Sequence, residues 1–279
     1  MTSSEEIRVC LVGATGRMGA EVIKACDEYS LGSGRKVVIY AGLVDEGDPH
    51  VGTSFCGITL PLAATWEEGF EQCDVIIDFS SPEGTLRAIA GAKRKGTPLL
   101  VCTTGLSVEH DKQLLLLAGD APVIRASNTS VGVNVMLELV REAAGMLGED
   151  FDVEMVEVHH RYKQDAPSGT ALSLASAIDE VRGFKLEENL VTGRFGRTGE
   201  RRKDELAVMS LRGGDVAGDH TVFFFGNGER IEITHRATSR SVFALGALRA
   251  ACWLVEQNKK GASGIFTMKD VLLGSADIG

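Results

Sequence analysis

The sequence predicts an α/β protein. A parallel sheet with helices on both faces comes first, with a smaller domain built on a mixed or antiparallel sheet after it. Three observations carry this. Through the first half, short apolar runs alternate with helical patterns, the signature of a parallel sheet with helices on both faces. The first run ends in a glycine turn that opens a helix. From about residue 151 the pattern changes to strict apolar–polar alternation, which suits half-exposed strands.

The elements follow in order. "IRVCLV" (7–12) is a first strand, and "ATGRMGAEVIKACDEY" the helix after it. "KVVIYAGLVD" (36–45) is a second strand and "DVIIDFS" (74–80) a third. Ser81, Pro82 and Glu83 then open a helix, with proline in the first turn where its missing N–H costs nothing. "TPLLVCTTG" and "APVIRASNTS" are further strands, each leading into a helical pattern. In the second half, "FDVEM" and "ELAVMSLRGG" read as strands. "HTVFFFGNGERIEITHRA" reads as a hairpin turning at Gly226, Asn227 and Gly228. The glycine-rich stretch 193–199 is expected to be the mobile loop. A long amphipathic helix over 241–261 is placed to close the first domain. The expected division is therefore 1–130 with 241–279, and 131–240.

The glycine turn has Gly13, Gly16 and Gly19 at spacings of three, a variant of the dinucleotide fingerprint. Its physics is the same: glycines let the backbone approach a pyrophosphate, and the helix N-terminus offers it N–H groups. Glycine turns also join strands to helices with no ligand involved. Asp45, at the expected end of the second strand, is placed to bind a ribose hydroxyl, or serves only as a turn residue. No Gly-Lys-Ser/Thr follows, so this is not a P-loop. "TTG" (103–105) and "SNTS" (127–130) end strands with hydroxyls and amides, where an open parallel sheet holds its ligand or simply turns the chain.

Charge and cysteines narrow the class. A net charge of −10, with no dense basic stretch, speaks against a nucleic-acid partner. No pair of the six cysteines has CxxC spacing, and no HExxH or His/Cys cluster is present, so no metal is expected. No apolar run has the length of a membrane span, and the acidic start of the chain does not read as a targeting peptide. A cytoplasmic, reduced protein is expected.

The densest chemistry lies in "EVHHRYKQDAPSGTAL" (157–172). His159 and His160 end a strand, and adjacent strand residues point to opposite faces. Ser168 follows Pro167 rather than standing in a GxSxG elbow, so it reads as a helix N-cap, not a nucleophile. Gly169 and Thr170 would then turn the positive end of that helix toward an anion, with Lys163 adding charge. A histidine acid beside a carboxylate pocket is the reading.

"VEVHHRYKQDAPSGTAL" resembles the signature of the 4-hydroxy-tetrahydrodipicolinate (dihydrodipicolinate) reductase family. "VGATGRMG", "DVIIDFSSPEGT", "TTG", "SNTSVGVNVM", "GDHTVFFFGNGERIEITHRATSR" and "GIFTMKDVL" resemble it in the same order, across nearly the whole chain. The resemblance implies a Rossmann-like parallel-sheet nucleotide-binding domain closed by the C-terminal segment, and a smaller α+β substrate and tetramerisation domain. It implies a homotetramer that closes on its ligands and passes a hydride from NADH or NADPH to a cyclic dicarboxylate, with a water lost overall. His159 would be proton donor or acceptor and Lys163 a second donor. His160, Ser168, Gly169 and Thr170 would hold the substrate. The cofactor would lie along Gly13, Ala14, Thr15, Gly16, Arg17 and Met18, then Asp45, then Cys102, Thr103 and Thr104, and Ala126, Ser127, Asn128 and Thr129.

Two residues depart from the pattern: Cys102 stands where many members have glycine, and Thr129 where they have an aromatic. Glu46 follows Asp45 where members that use NADPH well often carry an arginine. NADH is therefore the expected preference. Two alternatives remain at this level: another NAD-dependent dehydrogenase of a small acid, and a dinucleotide-binding redox sensor without turnover.

Overall fold

In the computed structural model, residues 6–274 are described apart from 46, 52, 57 and 60–65. The chain divides into two compact units, Met1–Val131 with Ser241–Gly279, and Gly132–Arg240.

The first unit begins β1 (Ile7–Val12), α1 (Arg17–Ser33) and β2 (Val37–Leu43), then a small hairpin of β3 (Ser54–Phe55) and β4 (Ile58–Thr59). It continues α2 (Trp66–Glu71), β5 (Val75–Asp78), α3 (Pro82–Lys93), β6 (Leu99–Val101), α4 (Val108–Leu117) and β7 (Pro122–Arg125). The second unit holds α5 (Val131–Leu147), β8 (Asp152–His159), α6 (Gly169–Arg182), α7 (Leu186–Asn189), β9 (Leu190–Val191), β10 (Leu206–Arg212), β11 (Gly218–Gly226) and β12 (Glu229–Ala237). The chain returns to the first unit as α8 (Ser241–Lys259), β13 (Gly264–Phe266) and α9 (Met268–Leu273).

Six parallel strands form the first sheet, in the order β13-β7-β6-β5-β1-β2. Period-two alternation divides its side chains between two cores. Val9, Leu11, Val75, Ile77 and Leu100 pack with Ala247, Leu248 and Trp253 of α8. Cys10, Val12, Ile76 and Leu99 face the other way, toward Phe70, Ile89 and Leu117. Burial on both faces is why these strands read as continuous apolar runs. The loops after β1, β5, β6 and β7 all leave the same, C-terminal edge of the sheet, because every strand is parallel.

The strands are shorter than the sequence suggests. The second ends at Leu43, so Asp45 lies past it, in a turn closed by Asp48 N–H on the Asp45 carbonyl at 2.9 Å. The third begins at Val75 and ends at Asp78, and α3 starts at Pro82 with Ser81 as its cap. β3, β4, α2, β13 and α9 have no counterpart in the sequence reading.

The second sheet is mixed, in the order β12-β11-β8-β10-β9. β8 runs antiparallel to β11 and parallel to β10. The hairpin turn falls at Asn227 and Gly228, as the sequence predicts. Val153, Met155, Val208, Val222 and Phe224 form the inner face, packed with Val140 of α5 and Leu174 and Ile178 of α6. Residues 157 and 159 continue the inner row of β8, and this continuation positions the site.

Candidate active site

On the inner face of the second sheet, the apolar row of β8 gives way to Glu157 and His159. Glu157 is fully buried and His159 is 7% exposed. His159 Nδ1 lies 2.5 Å from Glu157 Oε2. Arg212, at the end of the neighbouring β10, donates Nη1 to Oε2 at 2.8 Å and Nη2 to Oε1 at 2.9 Å. The Ser168 N–H reaches Oε1 at 3.3 Å. Ser168 caps α6 by accepting from the Ala171 N–H at 3.1 Å, which is the role the sequence predicts for it. The same hydroxyl lies 3.1 Å from Nε2 of His220 on β11. The His159 and His220 rings meet edge to face at 5.2 Å.

The electrostatics follow from burial and pairing. Burial works to raise the Glu157 carboxyl, but hydrogen bonds led by Arg212 outweigh it and hold the group down at about 2. Burial lowers His159, and the contact with Glu157 only partly restores it. Burial, and then the neighbouring His159, push His220 down to about 4. At neutral pH the cluster is therefore an anion clamped by an arginine, beside two imidazoles biased toward neutrality.

Lys163 follows on the loop after β8, its Nζ 2.9 Å from both carboxylate oxygens of Asp165. Arg212 also donates to the Asp165 carbonyl at 2.6 Å, tying that loop to the sheet. Gly169 and Thr170 form the first turn of α6. His160 has left the strand, with its N–H bonded to the Val216 carbonyl at 2.8 Å. His159, Ser168 and the start of α6 are thus brought together, and the His160 ring lies 6.3 Å from that of Tyr162. The sequence reading missed Glu157, Arg212 and His220. Glu157 was detectable as the strand residue two before His159, on the same face. Arg212 and His220 come from strands paired to β8, and no local spacing marks them.

In the first unit, the segments 13–18, 102–104 and 126–129 follow β1, β6 and β7 at the common sheet edge. Backbone bonds stitch them side by side: Phe79 N–H to Val12, Cys102 N–H to Asp78 and Ala126 N–H to Val101, at 3.0, 2.9 and 2.9 Å. Gly13 has φ +80°, and a Cβ there would run into the Phe79 carbonyl. A Cβ at Gly19 would strike the Gly13 carbonyl, so that glycine lets α1 sit tight against the turn. Gly16 caps α1. This is a cradle that fits a dinucleotide pyrophosphate at a helix N-terminus. Asp78 is buried at the sheet edge; burial raises its carboxyl, and Ser80, Thr85 and Thr103 bond it. Burial also pushes the Cys102 thiol well up. Thr129 turns inward, its hydroxyl 2.6 Å from the Phe243 carbonyl. Among the described residues, no His, Cys, Asp and Glu side chains are grouped to hold a metal ion.

A parallel sheet with this glycine turn, joined to an α+β unit carrying a buried acid–base cluster, defines a two-domain oxidoreductase of the nicotinamide-dinucleotide class. Residues 7–129 match the family model for dihydrodipicolinate reductase, N-terminus, and residues 132–272 the model for its C-terminus. The chain belongs to the dihydrodipicolinate reductase family. Curated relatives named 4-hydroxy-tetrahydrodipicolinate reductase include one from Pseudomonas fluorescens (strain SBW25), 43% identical over 272 residues, spanning 95% of this chain and 98% of its own. Another, from Hahella chejuensis (strain KCTC 2396), is 44% identical over 271 residues with the same coverage of each chain. A dipicolinate-bound dihydrodipicolinate reductase from Paenisporosarcina sp. TG-14 shares the fold with a TM-score of 0.72 at 22% identity, covering 94% of this chain and 98% of that one.

Proposed function

We propose that the protein reduces 4-hydroxy-tetrahydrodipicolinate to tetrahydrodipicolinate, with loss of water, in the diaminopimelate route of lysine synthesis. The observation that carries this reading is the buried Glu157–His159 pair beside the N-terminus of α6, in a chain of this family. A redox sensor has no use for such an acid–base pair. A relative solved with dipicolinate bound, a planar mimic of the product ring, supports the substrate class.

A bound nicotinamide supplies the hydride. The chain's own groups do the rest. The glycine turn from Gly13 to Met18 and the segments 102–104 and 126–129 hold the dinucleotide. The α6 N-terminus at Ser168, Gly169 and Thr170 attracts a carboxylate through the helix dipole. Lys163 offers a cation to a second carboxylate, exchanging its contact with Asp165. We assign His160 to the substrate on the resemblance alone. Two substrate carboxylates near His159 favour its protonated form, opposing the lowering that burial causes. His159 Nε2 can then deliver the proton that accompanies the hydride, with Lys163 as the second donor.

NADH is the cofactor we expect to be preferred. Asp48 stands against the glycine turn, its Oδ2 2.5 Å from the Thr15 hydroxyl and its Oδ1 2.8 Å from the His50 N–H. These bonds, Thr15 first, hold the carboxylate below its usual range and keep it anionic. Together with Asp45 it opposes a 2′-phosphate; Glu46 lies outside the described residues. The expected preference in kcat/KM is roughly tenfold, about 1.4 kcal/mol. Glu46→Arg should move the ratio toward NADPH. Equal use of both cofactors at low ionic strength would mean that Arg17 outweighs the acids.

A homotetramer and a cytoplasmic setting complete the proposal. The outer face of the second sheet carries Val156, Val158, Met209, Leu211 and Phe223, half-buried or exposed, which suits a covered interface. All six cysteines are free, as a reducing compartment requires. The deciding experiment is loss of NADH absorbance on adding freshly generated 4-hydroxy-tetrahydrodipicolinate. No substrate-dependent oxidation would end the reading; oxidation with small 2-amino or 2-hydroxy acids instead would favour the other dehydrogenases.

A further inference from the structure

Glu157 is an acid in a place where acids are rarely found. It continues the row of Val153 and Met155, both fully buried, and is itself fully buried. Desolvating a carboxylate costs several kcal/mol unless charge and hydrogen bonds offset it. Here Arg212 spends its fork on it, with both nitrogens within 2.9 Å. The Ser168 N–H adds a further bond. The Ser210 side chain bonds Glu157 as well, and beside these stands the 2.5 Å approach of Oε2 to His159 Nδ1.

We infer that Glu157 is a positioning residue for His159: it holds the proton on Nδ1 and turns Nε2 toward the reacting molecule, while Arg212 holds Glu157. The inference rests on the proposed reduction and adds to it the group that orients its acid. An ionised carboxylate only accepts hydrogen bonds, so Nδ1 must be the donor. A neutral imidazole has one N–H, so Nε2 is then the bare nitrogen, able to take a proton and pass it on. Gly218 lies opposite Nε2, where a Cβ would come within 3.0 Å, so the absence of a side chain there keeps that nitrogen approachable. His220, edge-on at 5.2 Å, confines the ring from the β11 side. The charged groups facing His159 are Glu157 on its own strand, Lys163 on the following loop and Arg212 on β10. Of these, only Glu157 favours the imidazolium. Arg212 also bonds the Asp165 carbonyl, so the same guanidinium sets both the carboxylate and the loop that carries Lys163.

Two measurements test this. In the wild-type protein, nitrogen-15 histidine NMR reads the tautomer directly, with His159 assigned by its loss in His159→Gln. The expected result is a neutral ring protonated at Nδ1, with a far-downfield Nδ1 proton. A ring protonated at Nε2 overturns the inference, whatever the enzyme turns over. Second, Glu157→Gln keeps the shape and removes the charge. It should lower kcat roughly 10- to 100-fold, the range for losing a partner that orients a histidine. The alkaline fall of the kcat profile should move to lower pH, since the chain's own group favouring the imidazolium is gone, and NADH affinity should hold. Glu157→Asp should recover part of the rate. A folded Glu157→Gln enzyme with unchanged kcat and pH profile overturns the inference; if that variant does not fold, the wild-type tautomer decides. Absence of substrate-dependent NADH oxidation by the wild type would refute the proposed reduction instead, and the tautomer would still be read.

Discussion

His220 couples stability to pH most directly. It is 3% exposed, its Nδ1 has no hydrogen-bond partner among the described residues, and burial followed by His159 holds it at about 4. Unfolded, it titrates near 6.5. Between those values the unfolded chain binds the extra proton, so stability falls as pH falls. The contribution is fully present above about 6.5 and lost as pH drops through about 4, on the order of 3 kcal/mol. Glu157 acts in the same sense at lower pH, its contribution present above about 4.5 and lost toward about 2. Urea midpoints measured from about pH 7 to about pH 4 should decline, and His220→Gln should flatten that decline; an unaltered slope would place the titration elsewhere. His159→Gln is the catalytic counterpart. It should keep the fold and lose kcat by roughly 10²- to 10⁴-fold, the worth of a general acid, with KM much less affected. Near-normal kcat would remove His159 from the chemistry.

Among elements, the β1–α1 turn is the most demanding. Gly13 must reach φ +80° and also leave space for the Phe79 carbonyl. Gly13→Ala meets both penalties, so it should lower the melting temperature, with strain of roughly 1–3 kcal/mol. It should also weaken NADH binding at least about tenfold in a fluorescence titration, because the turn would shift from the helix N-terminus. Retained affinity would mean that the dinucleotide does not use this turn. The long elements were legible in the sequence because periodicity needs length. β1, α5 and α8 are long enough to show their buried faces. β13 has three residues and α9 six, too few for a pattern, and β13 joins the sheet only because it lies alongside β7. The second strand was read too long because Val44 after Leu43 continues its apolar run, whereas the turn closed from Asp48 follows the end of the ladder.

For the whole molecule, the ligand roles proposed above fall on side chains of different units. Lys163 belongs to Gly132–Arg240, whereas the glycine turn belongs to Met1–Val131. Lys163→Ala should therefore weaken 2,6-pyridinedicarboxylate binding by roughly 1.5–3 kcal/mol, one charge-assisted contact. NADH affinity should be nearly unchanged. Calorimetry showing lost NADH binding with intact inhibitor binding would contradict the roles proposed for the two units. Sedimentation in solution reads the oligomer; a monomer at micromolar concentration would leave the apolar outer face of the second sheet without a partner.

Local chemistry determined much of this protein from the sequence alone. Apolar runs and glycines specify a parallel sheet with a phosphate-sized turn, because those residues answer to period and backbone freedom within a few positions. The string from Glu157 to Leu172 marks the acid–base region for the same reason, and Ser168 is its helix cap in both readings. What only the tertiary structure decided is which groups face one another. Arg212 is 55 residues from Glu157 along the chain, and His220 52 from Ser168. They meet because β10 and β11 flank β8 in register, and strand pairing has no local signature. A buried carboxylate is tolerable only with such partners, so the sheet, not the motif, makes Glu157 possible.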